Sequence, residues 1–192
     1  MMKRNNFPFS AVLGLNHAKT AILIVLVNPR AGGLLISGPR GIGKSTLMRS
    51  TQELIERPWR DIPVSVTEDR LFGTIDTEKA IYSGQKKLYP GIINEADQGV
   101  LYLDDANLLR EDLLDSILNI AEVGAYQLER DGLSLRCDTS FTVIAAINPE
   151  SGMLSGACLD QFGLFVNVDN IHDENTRVEI LKRTISFEKD CA

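Results

Sequence analysis

The stretch Gly38-Pro39-Arg40-Gly41-Ile42-Gly43-Lys44-Ser45-Thr46 constrains this chain more than any other. It fits the pattern G-x-x-x-x-G-K-[ST]. In that pattern the glycines let the backbone fold so tightly that its N–H groups converge on a polyphosphate. The lysine neutralises β/γ charge and the following hydroxyl ligates Mg²⁺. Gly38, Arg40, Gly41, Ile42, Gly43, Lys44, Ser45 and Thr46 are therefore the expected phosphate-binding residues. An ordinary glycine-rich turn can carry the same letters, so the flanks have to decide. Residues 33–37 form a short apolar run suited to a buried strand, and residues 44–56 read as a helix. That order points a helix N-terminus, with its partial positive charge and free N–H groups, at the anion.

At 192 residues, 44% hydrophobic and 24% charged, the chain can build one domain with a substantial core. Its net charge of −6 argues against a protein that coats nucleic acid, which needs a basic surface. Cys137, Cys158 and Cys191 are odd in number and lack C-x-x-C spacing, so neither a disulfide framework nor a zinc site is expected. The apolar run 21–27 is too short to span a bilayer and precedes no signal-peptide cleavage pattern. The expectation is a cytoplasmic protein with no membrane partner.

Asn16 is a plausible N-cap for a helix in which Ala18, Ala21, Ile22, Val25 and Leu26 follow helical spacing until Asn28-Pro29 stops it. Pro58 is expected to end the helix that carries Lys44, and 62–66 reads as a short strand weakened by Pro63. Residues 67–98 are broken by Gly73, Gly84, Pro90 and Gly91 into short amphipathic pieces, consistent with two short helices. Residues 99–105 are an apolar run ending in Asp104 and Asp105, the signature of a buried parallel strand whose C-terminal end opens on a ligand crevice. In 111–123, Leu113, Leu114, Ile117, Leu118 and Ala121 share one helical face. Asp131-Gly132 sits between alternating flanks and predicts a hairpin. Residues 141–147 and 164–168 read as further strands, and Asp173 caps a closing helix in which Val178, Leu181 and Ile185 share a face. This alternation predicts an α/β fold, a parallel sheet with helices on both faces and function at the C-terminal edge of its strands.

Three strand ends carry polar residues: the glycine-rich loop, Asp104 with Asp105, and Asn148. In a nucleoside triphosphatase, Asp104 would hold Mg²⁺ through water while Ser45 ligates it directly. Asp105 would activate the attacking water, Asn148 would position it, and Lys44 would complete the catalytic set. Acidic pairs after strands also cap helices, and Asn-Pro is a common turn. His17 and His172 have no ligand spacing, and Trp59 beside Pro58 reads as packing.

Several separated blocks together resemble the AAA+ ATPase subunit I of magnesium chelatase. They are Phe9-Ser10-Ala11-Val12-Leu13-Gly14, residues 38–46, residues 67–76 (TEDRLFGTID), Pro90-Gly91, residues 101–104, residues 129–136 (ERDGLSLR), Asn148-Pro149-Glu150, residues 159–163 (LDQFG) and residues 176–180. The similarity implies a P-loop NTPase of the AAA+ type over 1–192, with a helical insertion at 67–98 in the second helix and a β-hairpin insertion at 125–137. It implies ATP and Mg²⁺ as cofactors and a homo- or hetero-oligomeric ring, with chelatase D- and H-type subunits as partners in inserting Mg²⁺ into protoporphyrin. The chain departs from the family in four respects. Asp105 stands where the family has glutamate, and Gln161 where it has an arginine that looks like the finger reaching a neighbour's γ-phosphate. The chain stops before the family's C-terminal helical lid, and the segment between the first helix and Val64 is short. These departures favour binding of ATP over its rapid hydrolysis. Two readings follow: slow or partner-dependent hydrolysis, or a non-catalytic assembly subunit of a mixed ring. A small phosphotransferase is disfavoured, because no arginine-rich substrate lid follows Thr51.

Overall fold

The computed structural model describes residues 6–75, 88–130 and 133–190. In chain order the elements are α1 (Asn16–Val27), β1 (Leu34–Ser37), α2 (Lys44–Gln52), β2 (Trp59–Ile62), α3 (Glu68–Phe72), β3 (Gly73–Ile75), β4 (Leu88–Pro90) and α4 (Ile92–Glu95). Then come β5 (Val100–Leu103), α5 (Glu111–Val123), β6 (Ala125–Arg130), β7 (Leu133–Asp138), β8 (Thr142–Ile147), α6 (Gly156–Asp160), β9 (Leu164–Asn167) and α7 (Glu174–Asp190). Five strands form a parallel sheet in the order β2-β5-β8-β1-β9.

Alternation along the central strands explains why both faces are covered, since successive side chains point to opposite sides. Leu34 and Ile36, Val100 and Tyr102, and Ile144 and Ala146 enter one core with α1 residues Ile22 and Val25 and α2 residues Leu47 and Met48. Leu35, Leu101, Leu103, Val143, Ala145 and Ile147 enter the other, against Leu113, Leu114, Ile117 and Leu118 of α5. Strands buried on both faces must be apolar throughout, and all four residues of β1 and of β5 are buried.

Several local expectations shift. Asn16 is the first residue of α1 and not its cap; Leu15, in a left-handed conformation, precedes it without a side-chain bond. Helix α2 ends at Gln52, before Pro58, as Ser50 and Thr51 turn their hydroxyls back onto the Leu47 carbonyl. The second strand lies at Trp59–Ile62, ahead of the expected 62–66, because Pro63 cannot donate to a ladder. There Trp59 and Ile62 are buried and pair with β5.

The expected short helices of 67–98 are present as α3 and α4, joined by the antiparallel pair β3–β4, while residues 76–87 lie outside the described set. Strands β6 and β7 pair from Ala125↔Asp138 to Arg130↔Leu133, and the Asp131-Gly132 turn also lies outside the described residues. Asp173 caps α7, its Oδ2 accepting from the Thr176 N–H at 2.7 Å. The shared face of Val178, Leu181 and Ile185 is about half exposed and not in the core.

Candidate functional site

The site forms where β1, β5 and β8 end together. Gly38 follows β1, its N–H donating to the Ile147 carbonyl of β8 at 3.2 Å. A side chain at Gly38 would meet the Val168 carbonyl at 2.5 Å, so the loop can leave the sheet only through a glycine. Gly41 and Gly43 take φ of +82° and +92°, a region that L side chains resist. These turns wrap the backbone around the Lys44 side chain, whose Nζ donates to the carbonyls of Gly38 at 2.6 Å and Pro39 at 2.8 Å. Burial lowers the Lys44 pKa, while the nearby Asp105 and Asp104 carboxylates act in the opposite sense.

One residue on, the Ser45 hydroxyl donates to Asp104 Oδ2 at 2.9 Å across 59 positions of sequence. Asp105 adopts the left-handed region, φ 50°, and its carboxylate lies 3.9 Å from the Arg40 guanidinium. A cleft of about 280 Å³ is lined by Arg40, Gly41, Gly43, Lys44, Ser45, Thr46, Asp104 and Asp105. Thus the glycine-rich loop and both aspartates meet as expected. Gly38 stands behind the cleft as an acceptor for Lys44.

Asn148 is buried, but it does not line this cleft. Its amide caps the following turn, accepting from the Glu150 N–H at 3.2 Å and donating to Ser151 Oγ at 3.2 Å. Gln161 ends α6 with its amide toward the Ala157 carbonyl.

Sequence reading missed a second cavity, of about 870 Å³, that shares Gly41, Gly43 and Thr46 with the cleft. Ile42, Phe7, Val12, Leu15, Ile171, Leu181 and Phe187 give it an apolar wall, and His172 and Arg177 add polar groups. The segment before α1 meets α7 there: Phe7 and Phe187 pack edge to face at 5.3 Å, and the Arg183 guanidinium donates to the Ala11 carbonyl. No local pattern could have signalled this, because its walls lie more than a hundred residues apart. An apolar slot opening from a phosphate loop suits a nucleoside attached to a polyphosphate.

The Ser45 hydroxyl and Asp104 carboxylate are hard oxygen donors of the kind Mg²⁺ prefers. Among the described residues, no group of three or more His, Cys, Asp or Glu could hold a metal by itself. The fit is therefore to a cation that brings phosphate oxygens with it.

Two buried side-chain polar atoms among the described residues have no hydrogen-bond partner, the Tyr102 hydroxyl and Asn107 Oδ1, and they flank Asp104-Asp105. Burial, then the Asp104 carboxylate beside it, hold the Tyr102 phenol protonated well above its ordinary range.

A phosphate loop at the end of a central parallel strand, with an acidic pair at the end of its neighbour, defines a nucleotide-binding α/β domain. A family model described as AAA domain (dynein-related subfamily) matches residues 33–161. The chain is 36% identical to the magnesium-chelatase 38 kDa subunit of Cereibacter sphaeroides over 217 residues, covering 96% of this chain and 65% of that protein. It is 33% identical to the magnesium-chelatase subunit ChlI homolog of Methanocaldococcus jannaschii, over 99% of this chain and 62% of that one. A cryo-EM-based model of the complex between magnesium chelatase subunits BchI and BchD matches with a TM-score of 0.81 and 36% identity, covering 96% of this chain and 68% of the matched one. The chain belongs to the AAA family, as an ATP-binding AAA+ domain of the magnesium-chelatase subunit I type. It spans about 65% of the length of the Cereibacter relative.

Proposed function

We propose that this domain binds ATP with Mg²⁺ between the glycine-rich loop and Asp104, and that it hydrolyses ATP slowly or only with partners in a ring. The observation that carries the reading is the 2.9 Å bond from Ser45 to Asp104, which sets two oxygen ligands at the foot of the loop that holds Lys44. Lys44 would leave its two carbonyl acceptors for the β/γ-phosphates. Gly38, Arg40, Gly41, Ile42, Gly43 and Thr46 would shape or line the phosphate site, and the apolar cavity would take the nucleoside. Ser45 would ligate Mg²⁺ and Asp104 would hold it through water; the bound ion would supply charge neutralisation on the phosphate oxygens. Asp105 would orient the attacking water and Asn148 would assist it. Residues 1–192 would then form a single nucleotide-binding core, with 67–98 and 125–137 as insertions facing pore or neighbour. The net charge of −6 supports no nucleic-acid role. Among the described residues no helix is long and apolar enough to cross a membrane. We place the domain in the cytoplasm.

A second reading, a non-catalytic nucleotide-binding subunit of a mixed AAA+ ring, is favoured by three features. Asp105 is one methylene shorter than glutamate and faces Arg40 at 3.9 Å. The Asn148 amide is committed to its own turn. Gln161 offers no charge to a neighbour's site. The matched complex of BchI with BchD suggests that the ring would include D-type subunits. By the resemblance to magnesium-chelatase subunit I, it would act with an H-type subunit in inserting Mg²⁺ into protoporphyrin.

Titration calorimetry with ATP and Mg²⁺ on wild type and Lys44→Ala tests the binding. Loss of affinity in the variant is expected, and equal affinity refutes the site. Steady-state hydrolysis by the isolated chain separates the readings, since turnover above background counts against the non-catalytic one.

A further inference from the structure

Tyr102 lies on β5 two residues before Asp104, which directly follows the strand, so its side chain leaves the strand on the side from which Asp104 follows. Tyr102 is 6% exposed, and its ring packs against Trp59 with centroids 6.0 Å apart. Trp59 is itself fixed, its Nε1 donating to Asp61 Oδ1 at 2.8 Å, and Asp61 is the register partner of Tyr102 on β2. The phenol therefore has little freedom. Its hydroxyl lies beside Asp104 and Ser45 yet makes no hydrogen bond of normal length. A phenylalanine would fill the same space without leaving a buried polar atom unmatched, so stability does not account for the hydroxyl.

We propose that the Tyr102 hydroxyl is a positioning group for the Mg²⁺-binding pair, donating to the Asp104 carboxylate and fixing its rotation when a metal–nucleotide complex enters the cleft. The inference rests on the cleft being the MgATP site. Ser45 occupies one acceptor position of Asp104 Oδ2, and a carboxylate has about four. A second donor from below the strand end would hold the carboxylate plane and leave its remaining lone pairs facing the cleft. Tyr102 would touch neither nucleotide nor metal and would act only through Asp104.

The test compares wild type with Tyr102→Phe by calorimetric titration of ADP, with Mg²⁺ and again with EDTA, alongside thermal melts. Wild type should bind more tightly with Mg²⁺. In Tyr102→Phe that metal-dependent gain should fall about ten-fold, the scale of a hydrogen bond to a charged group. Affinity in EDTA should stay at the wild-type value, and the melting temperature at or above it. An undiminished metal-dependent gain overturns the proposal, and so does an equal loss of affinity with and without metal. Combining Tyr102→Phe with Ser45→Ala gives a second readout: the pair should lose less than the sum of the single losses, and strict additivity overturns the idea. If wild type binds ADP but gains nothing from Mg²⁺, or if Lys44→Ala binds as well as wild type, the reading of the cleft itself fails.

Discussion

Asp105 is the residue on which turnover depends in the proposed site. It is one of three non-glycine residues with positive φ among those described, a conformation aspartate tolerates better than most. Its carboxylate is turned toward the exposed Arg40 across 3.9 Å, a half-solvated pair of small energetic weight. Asp105→Glu restores the missing methylene and should raise the rate of hydrolysis at saturating ATP about ten-fold or more, with nucleotide affinity unchanged. A rate equal to wild type would mean that another group limits the reaction. The residues of the phosphate cleft were legible because they are contiguous, Lys44 and Ser45 above all, or end a plainly apolar strand, as Asp104 does. Asn148 was legible as a strand end, but the direction of its amide was not, since a two-residue turn bond decides it.

At the scale of elements, close backbone approaches and caps carry the testable content. Gly163, just after α6, lies so near Ala31 that a Cβ would stand 1.8 Å from the Ala31 carbonyl oxygen, while the Gly163 N–H donates to Gly32 at 2.8 Å. Gly163→Ala must displace backbone and should cost about 2 kcal/mol or more in chemical denaturation. Asp173 caps α7 through the Thr176 hydroxyl and N–H, and these bonds hold its carboxyl below the ordinary value. A depressed carboxyl pKa contributes stability that is present above about pH 4 and is lost as pH falls through the folded value. The melting-temperature difference between wild type and Asp173→Ala should therefore be larger at pH 7 than at pH 2.5. An equal difference at both would show that the charge is irrelevant to the cap. Helix α5 was readable to the residue from its apolar face, whereas β2 was displaced by a few positions, because a four-residue strand has too little period to fix its ends.

For the whole molecule, the consequential feature is the meeting of the residues that precede α1 with α7 beside the phosphate loop. Leu181 lines the larger cavity although its residue is 62% exposed. Leu181→Asp should leave the melting temperature within a few degrees of wild type, as exposed substitutions do, while weakening ATP binding measurably by calorimetry. Unchanged affinity would move the nucleoside out of this cavity. The half-exposed apolar row Val178, Leu181 and Ile185 shows how far periodicity reaches. It located a helix face correctly and could not tell whether anything covers it.

By itself the sequence determined the phosphate loop, the apolar central strands, the helix of 111–123 and hence a two-sided α/β sheet, because these depend on contacts a few residues apart. Its separated blocks also marked the family. The tertiary structure alone decided that Ser45 bonds Asp104, that Arg40 faces Asp105, that the buried Tyr102 hydroxyl lies without a hydrogen-bond partner beside the acidic pair, and that the segment before α1 and α7 wall one cavity. Each of these joins residues whose proximity is set by strand order, and strand order is not written in any local stretch of the chain.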